Sequence, residues 1–263
     1  MPKQPAESSS PSTTTPDNSL GIGRRGLCAD CQYAEVLLPA GRCEPGDACV
    51  RAHSGRQIDR FFRANPDHAA AYLKDIFWER RAIAVRYSPL ALIGPLMHDS
   101  DEVVRRAVAV RLMPDELRAM IQDPDREVRI TVAQRLAPED LLPLAGDPDY
   151  MVRIVVARRL AHGKLPRLVE DPEREVRKTV AQRLPSFALH YLLEDPEPEV
   201  RRIVAARCLP DTAIQFLGDP DWTVRRAAAR RAPRDSVRIL LDDPEADVRQ
   251  VAWERLAGPD DAQ

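Results

Sequence analysis

Four of the five cysteines, Cys28, Cys31, Cys43 and Cys49, lie close together, spaced C-x2-C-x11-C-x5-C. Thiolates are soft donors, and four converging on one point suit either tetrahedral Zn²⁺ or an iron–sulfur cluster. In a reducing cytoplasm, clustered thiols mean metal more often than disulfide. The spacing is less regular than the paired C-x2-C knuckles of zinc ribbons, and it lacks a Cys-Pro ferredoxin run. Residue chemistry alone therefore leaves zinc and iron–sulfur open. His53 is the alternative ligand, which four cysteines make superfluous. Cys208 sits far along the chain at a repeat position that usually holds Leu, so it reads as a small buried hydrophobe.

Four thiols need a frame. Residues 20–60 contain few large apolar side chains, so a cluster domain there needs its metal as a staple. Arg24, Arg25, Arg42 and Arg51 lie near the cysteines in sequence. They could offset the centre's negative charge, or equally be solvated surface. A helical bridge is expected over 61–74. Ile58, Phe61 and Phe62, then Tyr72, Leu73, Ile76 and Phe77, crowd this stretch, and core packing explains them better than a ligand pocket. Ahead of the cysteines, residues 1–19 are rich in Pro, Ser and Thr and read as a disordered tail. They lack the basic start and apolar stretch of a secretory signal.

Beyond the bridge the chain repeats itself. Asp-Pro recurs every 24 residues from Asp123-Pro124 to Asp243-Pro244. A Val-Arg pair keeps the same register from Val104-Arg105 to Val248-Arg249, and a second Arg follows at Arg111, Arg135 and onward to Arg255. A degenerate eighth unit begins near Asp75, where Arg81 fits the register and Arg86 is one residue early. Within a unit, the Asp of Asp-Pro is the expected N-cap, with Pro next, where no amide is needed. Val128, Val132 and Leu136 form one apolar stripe with Ala133 beside it, which predicts a helix of about 12 residues. Leu141, Leu142 and Leu144 then predict a short second element, possible as a 3₁₀ turn. Period-2 alternation is absent, which argues against strands. Stacking such units builds a continuous core, so 75–263 is expected to be an all-α superhelical solenoid of seven to eight repeats. Arg129 and Arg135 flank the stripe. Pairing with Asp side chains or helix-end carbonyls of an adjoining repeat accounts for them, and an anion-binding ladder is the sharper alternative.

The chain is 30% charged, with a formal net charge of −2. Basic and acidic residues number 12 and 10 in 1–98, against 27 and 31 in 99–263. Neither part has the positive excess of a phosphate-backbone binder, so nucleic acid is disfavoured as a partner. No apolar run approaches the roughly 20 residues of a membrane span, and the chain reads as cytoplasmic. The repeats offer no nucleophile–base pair, Gly-rich phosphate loop or HExxH site, which argues against an enzyme.

The 24-residue consensus resembles the leucine-rich repeat variant family over about 75–258. That resemblance implies alternating α- and 3₁₀-helices in a right-handed superhelix; HEAT-type repeats share the DP…VR half but are longer. Members in nitrogen-fixing bacteria carry a small N-terminal domain with a [4Fe–4S] cluster held by four cysteines. Cys28, Cys31, Cys43 and Cys49 match that arrangement in number, clustering and position, so the resemblance favours this cofactor over zinc. It implies an iron–sulfur protein acting as a protein-interaction scaffold, redox-responsive or an electron-transfer partner associated with nitrogen fixation. A zinc-stapled nucleic-acid- or protein-binding module and a cluster-using enzyme are the alternatives. Tyr150 and Trp222, large aromatics at equivalent repeat positions, are the expected anchors for a protein partner.

Overall fold

Asp-Pro precedes every long helix from 126 onward in the computed structural model, which describes residues 26–258, while Asp99-Ser100 and Asp75-Ile76 take its place before the two helices ahead of them. The expected tail over 1–19 lies outside these residues, as do Arg24 and Arg25. The long helices are α1 Gly55–Ala64, α2 Trp78–Tyr87, α3 Glu102–Arg111, α4 Arg126–Arg135, α5 Tyr150–Arg159, α6 Arg174–Arg183, α7 Pro198–Arg207, α8 Trp222–Arg231 and α9 Ala246–Ala257. Short α- and 3₁₀-turns join them, and among the described residues the one β-type pairing is an isolated bridge between Glu44 and Ala48. The chain is all-α. It divides into two compact units that part between Val108 and Ala109, inside α3.

In the second unit each repeat supplies the same buried set. Val128, Val132, Ala133, Leu136, Leu141 and Leu144 are 2% exposed or less, and so are Val152, Val156, Ala157, Leu160 and Leu165 one repeat later. Each long helix from α4 packs on the next, so the stripe that one repeat cannot cover is covered by its neighbour. Cys208 takes the place of Leu136 and is fully buried, its Sγ 3.7 Å from the Ala205 carbonyl. Volume is balanced locally: where Cys208 and Ala213 are smaller than Leu136 and Leu141, Phe216 is larger than Leu144.

The structure corrects the expected N-cap. Helix α4 is capped by Asp125, whose Oδ1 accepts from the amides of Glu127 and Val128 at 2.9 and 3.0 Å. Asp149 and Asp221 cap α5 and α8 in the same way. The Asp of Asp-Pro stands two residues earlier and does other work. Asp147, for example, takes the Asp149 amide on Oδ1 and receives the Arg129 guanidinium on both oxygens, at 2.8 and 3.0 Å. Arg129 also donates to the Asp123 carbonyl at 2.8 Å, joining the starts of two consecutive repeats. The same fork links Arg153 to Asp171, Arg177 to Asp195, Arg201 to Asp219 and Arg225 to Asp243. The second arginine of each unit reaches backwards instead. Arg135 donates to the Ala109 and Leu112 carbonyls and Arg183 to those of Ala157 and Leu160, serving helix ends that lack their own donors. The register arginines are thus structural mortar, and the anion-ladder alternative for them is withdrawn.

The first unit has the same device: Arg81 forks onto Asp99 and donates to the Asp75 carbonyl. Ahead of it, α1 buries Ile58, Phe61 and Phe62 almost completely, packs on α2, and is followed by a 3₁₀ segment, Pro66–Tyr72. Leu73 is buried and Phe77 half-buried, but Ile76 is 96% exposed and takes no part in the core. It falls in the short link between that segment and α2, where Phe77 turns inward and its neighbour faces water.

Candidate metal centre

Residues 29–53 form turns, and their shape is imposed by helix α1. Cys49 is anchored at the start of that helix, its amide donating to the Gln57 carbonyl at 3.1 Å. The Cys43 loop is anchored at the other end. Asn65, fully buried after α1, donates to the carbonyls of Arg42 and Phe61 at 2.7 and 2.9 Å. Arg42 returns a bond from Nη2 to the Ala64 carbonyl at 2.9 Å. Between Cys43 and Cys49 the chain reverses through Gly46, at φ 92°, which an L side chain would strain. Gln57 holds this turn by donating to the Gly46 carbonyl at 2.9 Å. On the other side, the C-x2-C pair forms a turn in which the Cys31 amide reaches the Cys28 carbonyl at 3.3 Å.

These constraints bring Cys28, Cys31, Cys43 and Cys49 to the wall of one cavity of about 280 Å³, counting space open to solvent. The rest of the wall includes Tyr33, Val50 and Phe61 and carries no carboxylate or imidazole. Tyr33 is itself held between Phe61 and His68, at centroid distances of 5.2 and 4.8 Å. Cys49 is buried and the other three are half-buried. Among the described residues no three metal-binding side chains close on a single-ion site. A tetrahedral Zn²⁺ draws all four sulfurs to about 2.3 Å of one point, whereas a polynuclear cluster occupies the volume between them. The all-thiol donor set, in a wall without carboxylate or imidazole, fits an iron–sulfur group. Burial, then the neighbouring thiols, push the Cys28 and Cys43 thiols above the ordinary cysteine range. A cationic centre removes that penalty by binding the thiolates.

Arg51 answers the same need. Its charge lowers the Cys28 thiol against those influences, and its Nη1 is buried without a hydrogen-bond acceptor among the described residues. Of the arginines near the cysteines among the described residues, Arg42 is spent on the helix end, and Arg51 lies close enough for its charge to act on Cys28. His53 is exposed, meets Phe77 in a tilted ring contact at 5.5 Å and does not line the cavity. Cys208 lies in the second unit, buried in its repeat. Tyr150 and Trp222 are the first residues of α5 and α8, exposed by 42% and 38%. Asn65 and Gln57 escaped the sequence reading. An Asn before Pro at a helix end was the available signal for the first, and nothing local marked the second.

Comparisons with known proteins bear on both units. The family described as LRV protein FeS4 cluster matches residues 22–71, which span all four cysteines. The leucine rich repeat variant family matches residues 126–149 and 222–245. A solved structure described as a leucine-rich repeat variant with a novel repetitive protein structural motif is 55% identical, with a TM-score of 0.83; the match covers 87% of this chain and 98% of that one. An uncharacterized 27.7 kDa protein in the nifB 3′ region of Rhodobacter capsulatus is 40% identical over 85 residues, 32% of this chain and 34% of the relative. This match thus spans about a third of the relative's length.

Proposed function

The chain belongs to the leucine-rich repeat variant family, and from that premise we propose that Cys28, Cys31, Cys43 and Cys49 hold a [4Fe–4S] cluster while the repeats dock a protein partner that exchanges electrons with it. The observation that carries this reading is the single cavity shared by the four thiols. When bound, the cluster supplies a one-electron carrier. The protein's own groups set its surroundings. Four cysteine ligands leave no iron free for a substrate, which favours electron transfer over catalysis. Val50, Tyr33 and Phe61 exclude water from one side of the space. Arg51 places a positive charge and a free N–H donor beside Cys28, which favours the more negative, reduced state. The electron comes from, or goes to, a redox protein held against the repeats.

Tyr150 and Trp222 are the anchors this reading assigns, since partly exposed aromatics in one repeat register suit interface hot spots. The Rhodobacter relative's place beside nifB supports a setting in nitrogen fixation. Anaerobic affinity capture with the oxidised and the reduced full chain tests the proposal. A partner whose recovery depends on the redox state, and falls when Tyr150 and Trp222 are both replaced by Ala, is expected. A colourless, zinc-bearing protein, or a coloured one with no redox-dependent partner, overturns it.

A further inference from the structure

The register arginines are consumed by this chain's own carboxylates and carbonyls, but three arginines of α7 and α8 stand outside that register. Arg202, Arg226 and Arg230 line a groove of about 1020 Å³, counting open solvent, between these two helices. No ion pair or hydrogen bond engages them among the described residues. The Nε of Arg226 is buried and has no acceptor. No carboxylate lines the groove, and Thr223 and the carbonyl-bound Arg231 complete its polar lining.

The repeats show how unusual this is. Two repeats before Arg226, the same position holds Lys178, which is answered by Glu175 at 3.1 Å and Glu199 at 2.8 Å. Thr223 stands where Glu199's part would fall for Arg202 and Glu175's part for Arg226. Each is thus left with one acidic register neighbour instead of two: Glu199 for Arg202, whose charge helps draw the Glu199 carboxyl down, and Asp247 for Arg226. The groove also exists because bulk has been removed. Ala206 stands where other repeats have Val110, Gln134, Arg158 or Gln182, and Ala227 where the repeats between have Thr131, Val155, Thr179 and Ile203, though Ala107 shares its place in α3. Packing gains nothing from smaller side chains and a carboxylate missing from the same place. A ligand that brings its own negative charge does.

We propose that this groove binds an acidic segment, a short run of Asp and Glu, of the partner protein; the inference rests on the scaffold reading above. Guanidinium groups match carboxylates as planar forks, and an acceptor in the groove would satisfy the orphaned Arg226 donor. The alanines let a backbone approach the helices. Extended nucleic acid fits less well, because 99–263 carry more acidic than basic residues, 31 against 27, and a polyphosphate would run onto that surface.

The probe is fluorescein-labelled octaglutamate, titrated by anisotropy with the cluster-loaded full chain at low and moderate salt. Arg226→Gln/Arg230→Gln should weaken binding about tenfold or more, as losing two charge-assisted contacts implies. Arg202→Gln serves as an independent second variant and should weaken it less. Arg238→Gln, the same charge change on an exposed side chain elsewhere, should leave binding within about twofold. Circular dichroism and the cluster's visible absorbance should not change. Absent binding, an equal loss in the Arg238 variant, or tighter binding of oligothymidylate through the same arginines overturns the proposal. If a partner captured by the wild type is retained equally by the double variant, the scaffold reading stands and this groove is removed from it.

Discussion

Replacing Arg153 with Met should be among the most damaging single changes in the repeats. The guanidinium donates to Asp171 through Nε at 2.8 Å and Nη2 at 2.9 Å, and to the Asp147 carbonyl through Nη1 at 2.7 Å. The two side chains are 10% and 3% exposed, so this is a buried pair. Without Arg153, Asp171 keeps the Glu173 amide, at 2.9 Å, but loses its counter-charge. Removing one member of a buried pair costs about 3–5 kcal/mol. For a unit of this size each kcal/mol lowers Tm by roughly 2–4 °C, so a fall of roughly 6–20 °C is expected. Urea unfolding followed by circular dichroism reads the same loss. Arg238→Met, at an exposed residue, provides the scale and should cost no more than about 0.5 kcal/mol. The double change Arg153→Met/Asp171→Leu should recover part of the loss, because apolar replacement of a whole buried pair is tolerated better than a half-pair. A loss below about 1 kcal/mol for Arg153→Met would place the pair with surface ion pairs and refute the mortar argument.

Acid sensitivity follows from the same pairs. The Arg225 hydrogen bond holds the Asp243 carboxyl below the usual Asp range against the opposing effect of burial. Its folded-state pKa is thus below the unfolded one, so the stabilisation is fully present above about pH 4 and is lost as pH falls through the folded value. The stability gap between wild type and Arg225→Gln should therefore be wide at neutral pH and narrow below about pH 4; a gap independent of pH would contradict the pairing. The corrected cap predicts that Asp125→Ala costs about 1 kcal/mol, and Asp147→Ala more, because it also strands the Arg129 guanidinium; equal losses in urea would argue against the two roles. Arg51→Met should lower the cluster's midpoint potential and shift its electron paramagnetic resonance signature without loss of iron, and an unchanged potential would leave Arg51 a packing residue.

The repeat period and its core were legible because one unit reads its neighbour's constraint directly: the positions of Val128, Val132 and Leu136 recur in register as small or apolar residues, and every copy from α3 to α8 is buried, whereas Leu256 in the last helix is only half-buried. The roles of the two aspartates were not. Asp123 and Asp125 offer the same carboxylate two residues apart, and only the position of the preceding repeat's helix decides which caps and which receives arginine. Pairing of the register arginines could be argued from repulsion alone, whereas the free arginines of α7 and α8 emerge only after every partner has been placed. At the cysteine site, number and spacing announced a metal. The frame did not show, because Asn65 and Gln57 act through backbone carbonyls that no side-chain pattern encodes. Ile76 was misjudged because an apolar cluster in sequence does not say which member the following turn leaves outside.

The central claim is that four cysteines of one cavity hold the cluster, and the direct measurement is bound iron and acid-labile sulfide, together with the visible spectrum, in anaerobically purified single variants. Cys28→Ala, Cys31→Ala, Cys43→Ala and Cys49→Ala should each lose iron and sulfide in parallel, and circular dichroism should show the repeats still helical. Cys208→Ala should keep both at the wild-type level. Wild-type protein carrying zinc without sulfide, or a Cys208 variant that loses iron as readily as the Cys43 variant, would contradict the account.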